Sequence, residues 1–133
     1  MEDCKNIKNY TPISKLENLE ILNVRSTNIS DISFLQNNKN IKELNLNYCY
    51  HIKDFTPLSK LEKLEIFGAS STYISDISFL KNNKNIKELE FSYSHKIKDF
   101  TPISQLEKLE ILNIKGTKIP DISFLKKIKI IKN

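Results

Sequence analysis

Five aspartates recur at intervals of 22 or 23 residues along this 133-residue chain. A stacked row of carboxylates could hold a cation or act as an acid pair. Calcium, however, needs about six to eight oxygens around one ion, and a single row gives a line of ligands rather than a cage. An aspartate at the start of a turn instead accepts backbone N–H groups. The sequence therefore predicts turn capping and no metal site at Asp31, Asp54, Asp76, Asp99 and Asp121.

The two cysteines and the two histidines show no recognisable catalytic or zinc-binding spacing. Cys4 and Cys49 are 45 residues apart. This distance corresponds to two coils of the repeat described below, roughly 10 Å and beyond the ~7 Å that a disulfide can bridge. We expect buried structural thiols. His51 and His95 occupy different repeat positions, so we expect both on surface turns.

No catalytic motif accompanies these residues. The chain has no Gly-rich phosphate loop and no nucleophile elbow. Nearly identical residues recur in every repeat, whereas an active site needs one distinctive place. We predict that the protein is not an enzyme and needs no cofactor.

A repeat must position all of these residues. The segment IKDFTPLSKLEKLEI at residues 52–66 returns as IKDFTPISQLEKLEI at residues 97–111. Each 45-residue unit holds two related halves with the pattern L-x-x-L-x-L-x-x-(T/C/S), then an apolar residue and an aspartate. A period of this length indicates a solenoid. We predict one domain over residues 1–133, with partial coils at both ends and repeats starting near Leu19, Ile41, Leu64, Ile86, Leu109 and Ile131.

Each coil should contain a short strand in its L-x-L segment, such as residues 44–46, with alternate side chains pointing inward. One coil cannot bury these side chains alone, but stacked neighbours can. The predicted fold is a right-handed α/β-type solenoid with short parallel strands on its concave face and turns or 3₁₀ segments on its convex face. The inward residues are predicted to be Leu22, Val24, Leu44, Leu46, Phe67, Ala69, Leu89, Phe91, Leu112 and Ile114, with Ile29, Ile32, Leu35, Ile52, Phe55 and Leu58 on the return path.

The segments ISDISFL at residues 29–35 and 74–80 and DFTPLSKLEKL at residues 54–64 resemble the consensus of short, 22-residue leucine-rich repeats of the internalin-like class. The resemblance covers almost the whole chain and implies a leucine-rich repeat solenoid. Position nine of the repeat is usually Asn in that class but is Cys, Thr or Ser here, and we expect these side chains to hydrogen-bond inside the turn. The composition also resembles leucine-rich repeat families of AT-rich insect poxviruses, which would imply a viral adaptor or inhibitor.

Two columns of charge should run across the coils. The second repeat position reads Glu20, Lys42, Glu65, Lys87, Glu110 and Lys132, and the position three residues earlier reads Glu17, Lys39, Glu62, Lys84 and Glu107. Neighbouring strands then present opposite charges, which stabilises the pairing. We interpret both columns as solvated stacking ladders.

The outward residues of the sheet are the candidate partner-binding site, because solenoids bind through their extended concave surface. Three isoleucines there alternate with two glutamates, and two tyrosines lie at one rim. This surface suits a protein with basic and apolar groups and suits a phosphate backbone poorly. Isoleucine is also a common strand residue, so the alternative is that it only fills strand positions. The predicted site comprises Ile21, Asn23, Arg25, Glu43, Asn45, Asn47, Tyr48, Ile66, Ser70, Glu88, Glu90, Ser92, Tyr93, Ile111, Asn113 and Lys115.

The net charge of +5 is spread along the chain rather than concentrated in a patch. We find no signal-peptide pattern at the N-terminus and no apolar run long enough to span a membrane, so we expect a reducing, cytoplasmic setting. KKIKIIKN at Lys126–Asn133 could be a membrane-binding helix. We interpret it instead as the start of a sixth coil.

These patterns predict a non-enzymatic, intracellular protein–protein interaction module that binds an unidentified protein on its concave face. One alternative is a structural unit that self-assembles through uncapped solenoid ends. Another is a weak nucleic-acid binder that uses the lysine-rich turns at Lys53, Lys96 and Lys98, although the charge pattern does not favour it.

Overall fold

Six short strands form one parallel sheet in a computed structural model, which describes residues 6–119, 121, 123, 125 and 128–131. The strands pair in sequence order, so each coil lies beside the one before it. This arrangement confirms the predicted solenoid of parallel strands. The strands are β1 (Ile21–Asn23), β2 (Glu43–Asn45), β3 (Ile66–Gly68), β4 (Glu88–Glu90), β5 (Ile111–Asn113) and β6 (Lys129–Ile131).

Five 3₁₀ segments form a second stack, in which each segment packs against the next as neighbouring strands do. Proline lies in the first turn of the first, third and fifth segments, where its fixed φ suits a helix start and its missing N–H costs nothing. The predicted 3₁₀ segments are therefore present. They are η1 (Thr11–Lys15), η2 (Ser33–Asn37), η3 (Thr56–Lys60), η4 (Ser78–Asn82) and η5 (Thr101–Gln105).

The core fills the space between the two stacks. The middle residue of each of the first five strands is buried, as strand alternation requires. Phe67 at the centre packs edge-to-face against Phe79 and Phe91, with ring centroids 6.0 and 5.9 Å away. Every residue that the sequence predicts to point inward is buried.

The chain leaves each strand through one backbone conformation. The eighth repeat position has positive φ in five successive coils, at Ser26, Tyr48, Ser71, Tyr93 and Gly116. Glycine adopts this conformation freely, whereas a bulky L-residue is strained in it. The two tyrosines therefore occupy a position that the backbone alone would give to a smaller residue.

The last strand departs from the predicted register. Ile111 pairs with Lys129, and Asn113 pairs with Ile131. The prediction that Ile131 opens a sixth repeat is therefore wrong, because this residue lies at the fifth repeat position. The final coil is shorter than the others, and so the repeat period does not extend to it. Lys126, Lys127, Lys132 and Asn133 lie outside the described residues.

The acid–base ladder, defined as Glu20, Lys42, Glu65 and Lys87, forms two ion pairs. Lys42 Nζ donates to Glu20 Oε1 at 3.0 Å, and Lys87 Nζ donates to Glu65 Oε2 at 2.6 Å. Each pair joins the two coils within one 45-residue unit. The pairing shifts two pKa values: the Lys87 ammonium lowers the pKa of Glu65, and the Glu65 carboxylate raises that of Lys87.

Buried asparagines on the return path join the other pairs of coils, counted from the repeat starts at Leu19 and Leu64. Asn38 Nδ2 donates to the carbonyl oxygens of Ile13 and Leu16 at 2.9 and 3.1 Å. Asn83 makes the equivalent bonds to Leu58 and Leu61, both at 2.9 Å. The ladder thus joins the two coils within a 45-residue unit, and the asparagines join each unit to the coil before it.

The side chains at position nine bond mainly to the preceding coil. Cys49 Sγ donates to the Val24 carbonyl at 3.1 Å, and Ser94 Oγ reaches the Ala69 carbonyl at the same distance. Thr117 Oγ1 donates to the Phe91 carbonyl at 2.8 Å. The expectation of bonds inside the turn holds for Thr72, which bonds Ala69 three residues earlier. For the other three it is corrected, because the nearest acceptor lies one coil away.

Candidate functional site

The aspartate row caps the turns, as predicted. Each Oδ1 accepts the backbone N–H two residues ahead at 2.8 or 2.9 Å. These hydrogen bonds lower all five pKa values. The backbone bond is the main cause in four of them, and the Thr56 hydroxyl is the main cause at Asp54. Within the described residues no group of acidic, His and Cys side chains is arranged to hold a metal ion.

The remaining candidates for reactive chemistry are inert or dispersed. Cys49 is fully buried, and burial raises the pKa of its thiol, so the thiol stays protonated. Its predicted distance from Cys4 stays a prediction, because Cys4 lies outside the described residues. His51 and His95 are both exposed, as expected.

The outward face of the sheet forms a groove with a volume of about 440 Å³. We call the third-position residues of the first five strands the groove column: Ile21, Glu43, Ile66, Glu88 and Ile111. Ile21 is 59% exposed and Ile66 is 36% exposed, although both are large apolar side chains. The column therefore presents apolar and acidic side chains alternately to solvent.

The two glutamates of the groove column are uncompensated. Among the described residues, Glu43 and Glu88 make neither a hydrogen bond nor an ion pair through their carboxylates. Glu90 differs, because its Oε2 accepts a hydrogen bond from Asn47 Nδ2 at 2.9 Å. The groove floor thus carries two carboxylates that no neighbouring side chain satisfies.

Position seven is buried in the central coils, which corrects part of the predicted site. Asn47, Ser70 and Ser92 were expected to face outward, but each is less than a tenth exposed. For Asn47 the reason is the missing side chain at Gly68. A Cβ there would lie 2.8 Å from Asn47 Oδ1, so Asn47 leans across the glycine.

A relay of hydrogen bonds fixes these buried residues. Asn47 Oδ1 accepts the N–H of Ser70 at 2.7 Å, and Ser70 Oγ accepts the N–H of Ser92 at 3.0 Å. These side chains connect three coils and offer little surface to a partner. They support the groove floor.

The fifth-position asparagines have a structural role in addition to the predicted one. Asn23, Asn45 and Asn113 each accept the backbone N–H two residues ahead, at 3.0–3.1 Å. All three are half-buried. All three line the groove, and these bonds fix the orientation of their side chains.

One rim of the groove is rich in tyrosine. Tyr48 and Tyr93 were predicted there, and Tyr50 and Tyr73 lie beside them at the tenth repeat position. Tyr50, Tyr73 and Tyr93 are 48%, 63% and 46% exposed. Tyr93 also packs edge-to-face on His95. The sequence reasoning missed position ten, although reading that column across the coils would have shown it.

The basic residues predicted at the ends of the groove behave differently. The Arg25 guanidinium lies over the Tyr48 ring at 4.9 Å from its centroid, a cation–π geometry. Lys115 is exposed. Glu43, Glu88 and Glu90 are among the residues that line the groove, whereas Arg25 and Lys115 are not.

The comparisons with known proteins identify the repeat. The family model described as leucine-rich repeats (2 copies) matches residues 17–60. The fold is that of a leucine-rich repeat solenoid. An internalin (inlF) from Listeria monocytogenes is 31% identical with a TM-score of 0.80, over 85% of this chain and 33% of the internalin chain. No curated protein sequence matches the chain.

Two further solved structures share the fold at lower identity. Internalin C2 from Listeria monocytogenes is 24% identical, with a TM-score of 0.86 over 96% of this chain and 57% of that one. A Leptospira interrogans leucine-rich repeat protein is 23% identical, with a TM-score of 0.80 over 92% of this chain and 33% of that one. The chain therefore spans about a third to just over half of these structures. No helix among the described residues is long and apolar enough to cross a membrane.

Proposed function

We propose that the protein binds another protein in the groove, without catalysing a reaction, inside a cell. The proposal rests mainly on the groove column, where isoleucines alternate with glutamates that pair with no described side chain. Exposed apolar side chains are typical of interaction surfaces when they are grouped rather than scattered. A leucine-rich repeat solenoid offers such a surface in extended form.

The strain at the tyrosine rim supports the same proposal. Tyr48 and Tyr93 have φ values of 62° and 57°, a conformation that costs an ordinary L-residue about 1–2 kcal/mol. Equivalent coils use serine or glycine there. Tyrosine is enriched in protein interfaces, which gives a reason for an otherwise unfavourable choice.

The test is an affinity pull-down from cell lysate, quantified by mass spectrometry. Wild type is compared with Ile21→Glu, Ile66→Glu and Ile111→Glu together. The control adds the same charge on exposed 3₁₀ residues, through Gln36→Glu, Asn82→Glu and Gln105→Glu. Circular dichroism first shows that both variants fold.

The proposal predicts a partner that wild type and control retain and the groove variant loses, and whose binding is then reproduced with purified proteins. Equal partner lists for all three proteins would contradict it. Nuclease treatment of the lysate tests the alternative of binding through the lysine-rich turns, since a nucleic-acid-mediated partner would disappear.

A second candidate is end-on association of solenoids. Leu16 is 51% exposed, whereas Leu61 at the equivalent position two coils later is fully buried. Another coil stacked on that end would bury Leu16 in the same way. Sedimentation velocity at rising protein concentration tests this, and a Leu16→Glu variant should abolish any association that depends on it.

A further inference from the structure

We infer that the partner enters the groove as an α-helix that carries basic and apolar side chains alternately along one face. This inference rests on the proposed function and adds the chemistry and shape of the bound segment. It follows from the spacing and the charge of the groove column rather than from its position in the fold.

The spacing is set by the sheet. The strand register places Ile21 opposite Glu43, Glu43 opposite Ile66, and so on to Ile111. Neighbouring strands lie about 4.8 Å apart, so glutamates repeat roughly every 10 Å and isoleucines fall midway between them. A partner that lies along the column meets an apolar site and an acidic site alternately, at steps of about 5 Å.

An α-helix matches this alternation. Seven residues of helix rise about 10.5 Å, and residues three or four apart lie on the same face at steps of about 5 Å. Apolar residues at positions 1, 8 and 15 of such a helix would meet the three isoleucines. Basic residues at positions 4 and 11 would meet the two glutamates.

Other backbone conformations do not match. In an extended strand, residues on one face are about 6.7 Å apart, and they lose register with the column after two steps. Polyproline II returns to the same face every three residues, about 9.3 Å, and places no side chain midway on that face. It could meet the glutamates or the isoleucines, but not both.

The charge of the column suits a cation supplied by a partner. In the acid–base ladder, one residue earlier in the repeat, each glutamate has a lysine neighbour at 3.0 Å or less. In the groove column the neighbour of each glutamate is isoleucine, and Glu43 and Glu88 make no such pair. Opposite charges on a partner would supply the missing complement and would fix its register.

The test is a displayed library of helical peptides about 15 residues long, with positions 1, 4, 8, 11 and 15 fully randomised. The whole chain is the bait. Enriched sequences are synthesised, and their affinities are measured by fluorescence anisotropy. The bait variants are Glu43→Lys with Glu88→Lys, and a control with the same charge change at two exposed acids outside the groove, Glu62→Lys with Glu107→Lys.

The inference predicts apolar residues at positions 1, 8 and 15 and Lys or Arg at positions 4 and 11. Affinity should fall at least about tenfold on the Glu43/Glu88 variant and should change little on the control. Peptides with Glu at positions 4 and 11 should regain affinity for the Glu43/Glu88 variant. Restoration by the reciprocal charge change would show direct pairing.

Enrichment without basic residues at these positions, equal affinity for both bait variants, or no enrichment would each overturn the inference. The pull-down separates this failure from that of the proposed function. A cellular partner that the isoleucine variant still loses would leave the groove as a binding site for another kind of segment. A partner list unchanged by that variant would remove the groove itself.

Discussion

The acid–base ladder and the groove column occupy adjacent positions of the same repeat, and they differ in the neighbours of their charged side chains. Both alternate from coil to coil with the 45-residue unit. In the ladder Glu65 finds Lys87 on the next coil at 2.6 Å. In the column Glu88 has Ile66 and Ile111 beside it on the neighbouring strands. Each charge of the ladder therefore has an opposite charge on a neighbouring coil, whereas each glutamate of the groove column has apolar neighbours.

This difference suggests separate roles on one surface, with the ladder stabilising the fold and the groove column binding a partner. The ladder, the amide nitrogens of the buried asparagines and the aspartate caps are engaged by neighbouring coils or turns. The buried side-chain oxygens of Asn38 and Asn83 have no hydrogen-bond partner among the described residues. Among the described residues, the side chains of the groove column make none of these contacts. Ile21 and Ile66 are exposed, and Ile111 is half-buried. Substitutions in the first set should change folding, and those in the second should change binding.

The largest expected effect comes from comparing substitutions on the buried face and on the groove face of β3. Phe67→Ala should lower the free energy of unfolding by about 3–5 kcal/mol, because it leaves a cavity between Phe79 and Phe91. Its neighbour Ile66 faces the groove, so Ile66→Ala should cost less than about 1 kcal/mol. Urea denaturation of both variants measures this, and similar losses would contradict the assignment of faces.

The next effect tests the tyrosine rim. Gly116 has a φ of 67°, and a Cβ there would lie 2.4 Å from Tyr93 ring carbons. Gly116→Ala should therefore lower the free energy of unfolding by about 1–2 kcal/mol through backbone strain. Combining it with Tyr93→Ser should remove the collision but not the strain. A thermal melt in which Gly116→Ala matches wild type would contradict the described turn.

A smaller effect is expected at the caps and depends on pH. The Thr56 hydroxyl and N–H lower the pKa of Asp54 below its ordinary 3.8. A carboxylate whose pKa is lower in the folded state stabilises the fold above the unfolded pKa, and this contribution is lost as the pH falls through the folded pKa.

Asp54→Asn removes that titration and keeps an acceptor, as Asn9 does naturally for the N–H of Thr11 at 2.9 Å. The melting temperature of the variant should therefore fall less than that of wild type between about pH 5 and pH 2. Parallel curves for the two proteins would show that the cap contributes no pH dependence.

The smallest effect compares the ladder and the column directly. Glu65→Gln breaks an exposed ion pair, and exposed pairs contribute little. It should lower the melting temperature slightly at low salt and not at high salt. Glu88→Gln has no pair to break and should leave the melting temperature unchanged or raise it. A larger loss for Glu88→Gln would mean that the column is structural.

Much of the fold follows from local alternation. The L-x-L pattern and the positions of the aspartates predict the strands, the buried face and the capped turns, because each depends on residues close in sequence. The start assigned to Ile131 failed because the last coil is shorter. A repeat pattern does not show where a coil becomes shorter. The register of β6 in the sheet shows it.

The candidate site is less predictable because it depends on contacts between coils. The sequence identified the exposed isoleucines and glutamates of the groove column. It placed Asn47 outside because it could not show that the missing side chain at Gly68 lets Asn47 fold across the sheet. Binding itself stays a prediction for the residues that remain exposed.

Site-specific photo-crosslinking tests most directly whether a protein partner contacts the groove. A photoreactive phenylalanine replaces Ile66 in the groove or, in a parallel protein, Gln105 on the 3₁₀ stack. Irradiation of lysate should give a discrete crosslinked protein from position 66 and none of it from position 105. The same product from both positions, or a discrete product from position 105 alone, would contradict a groove-binding partner.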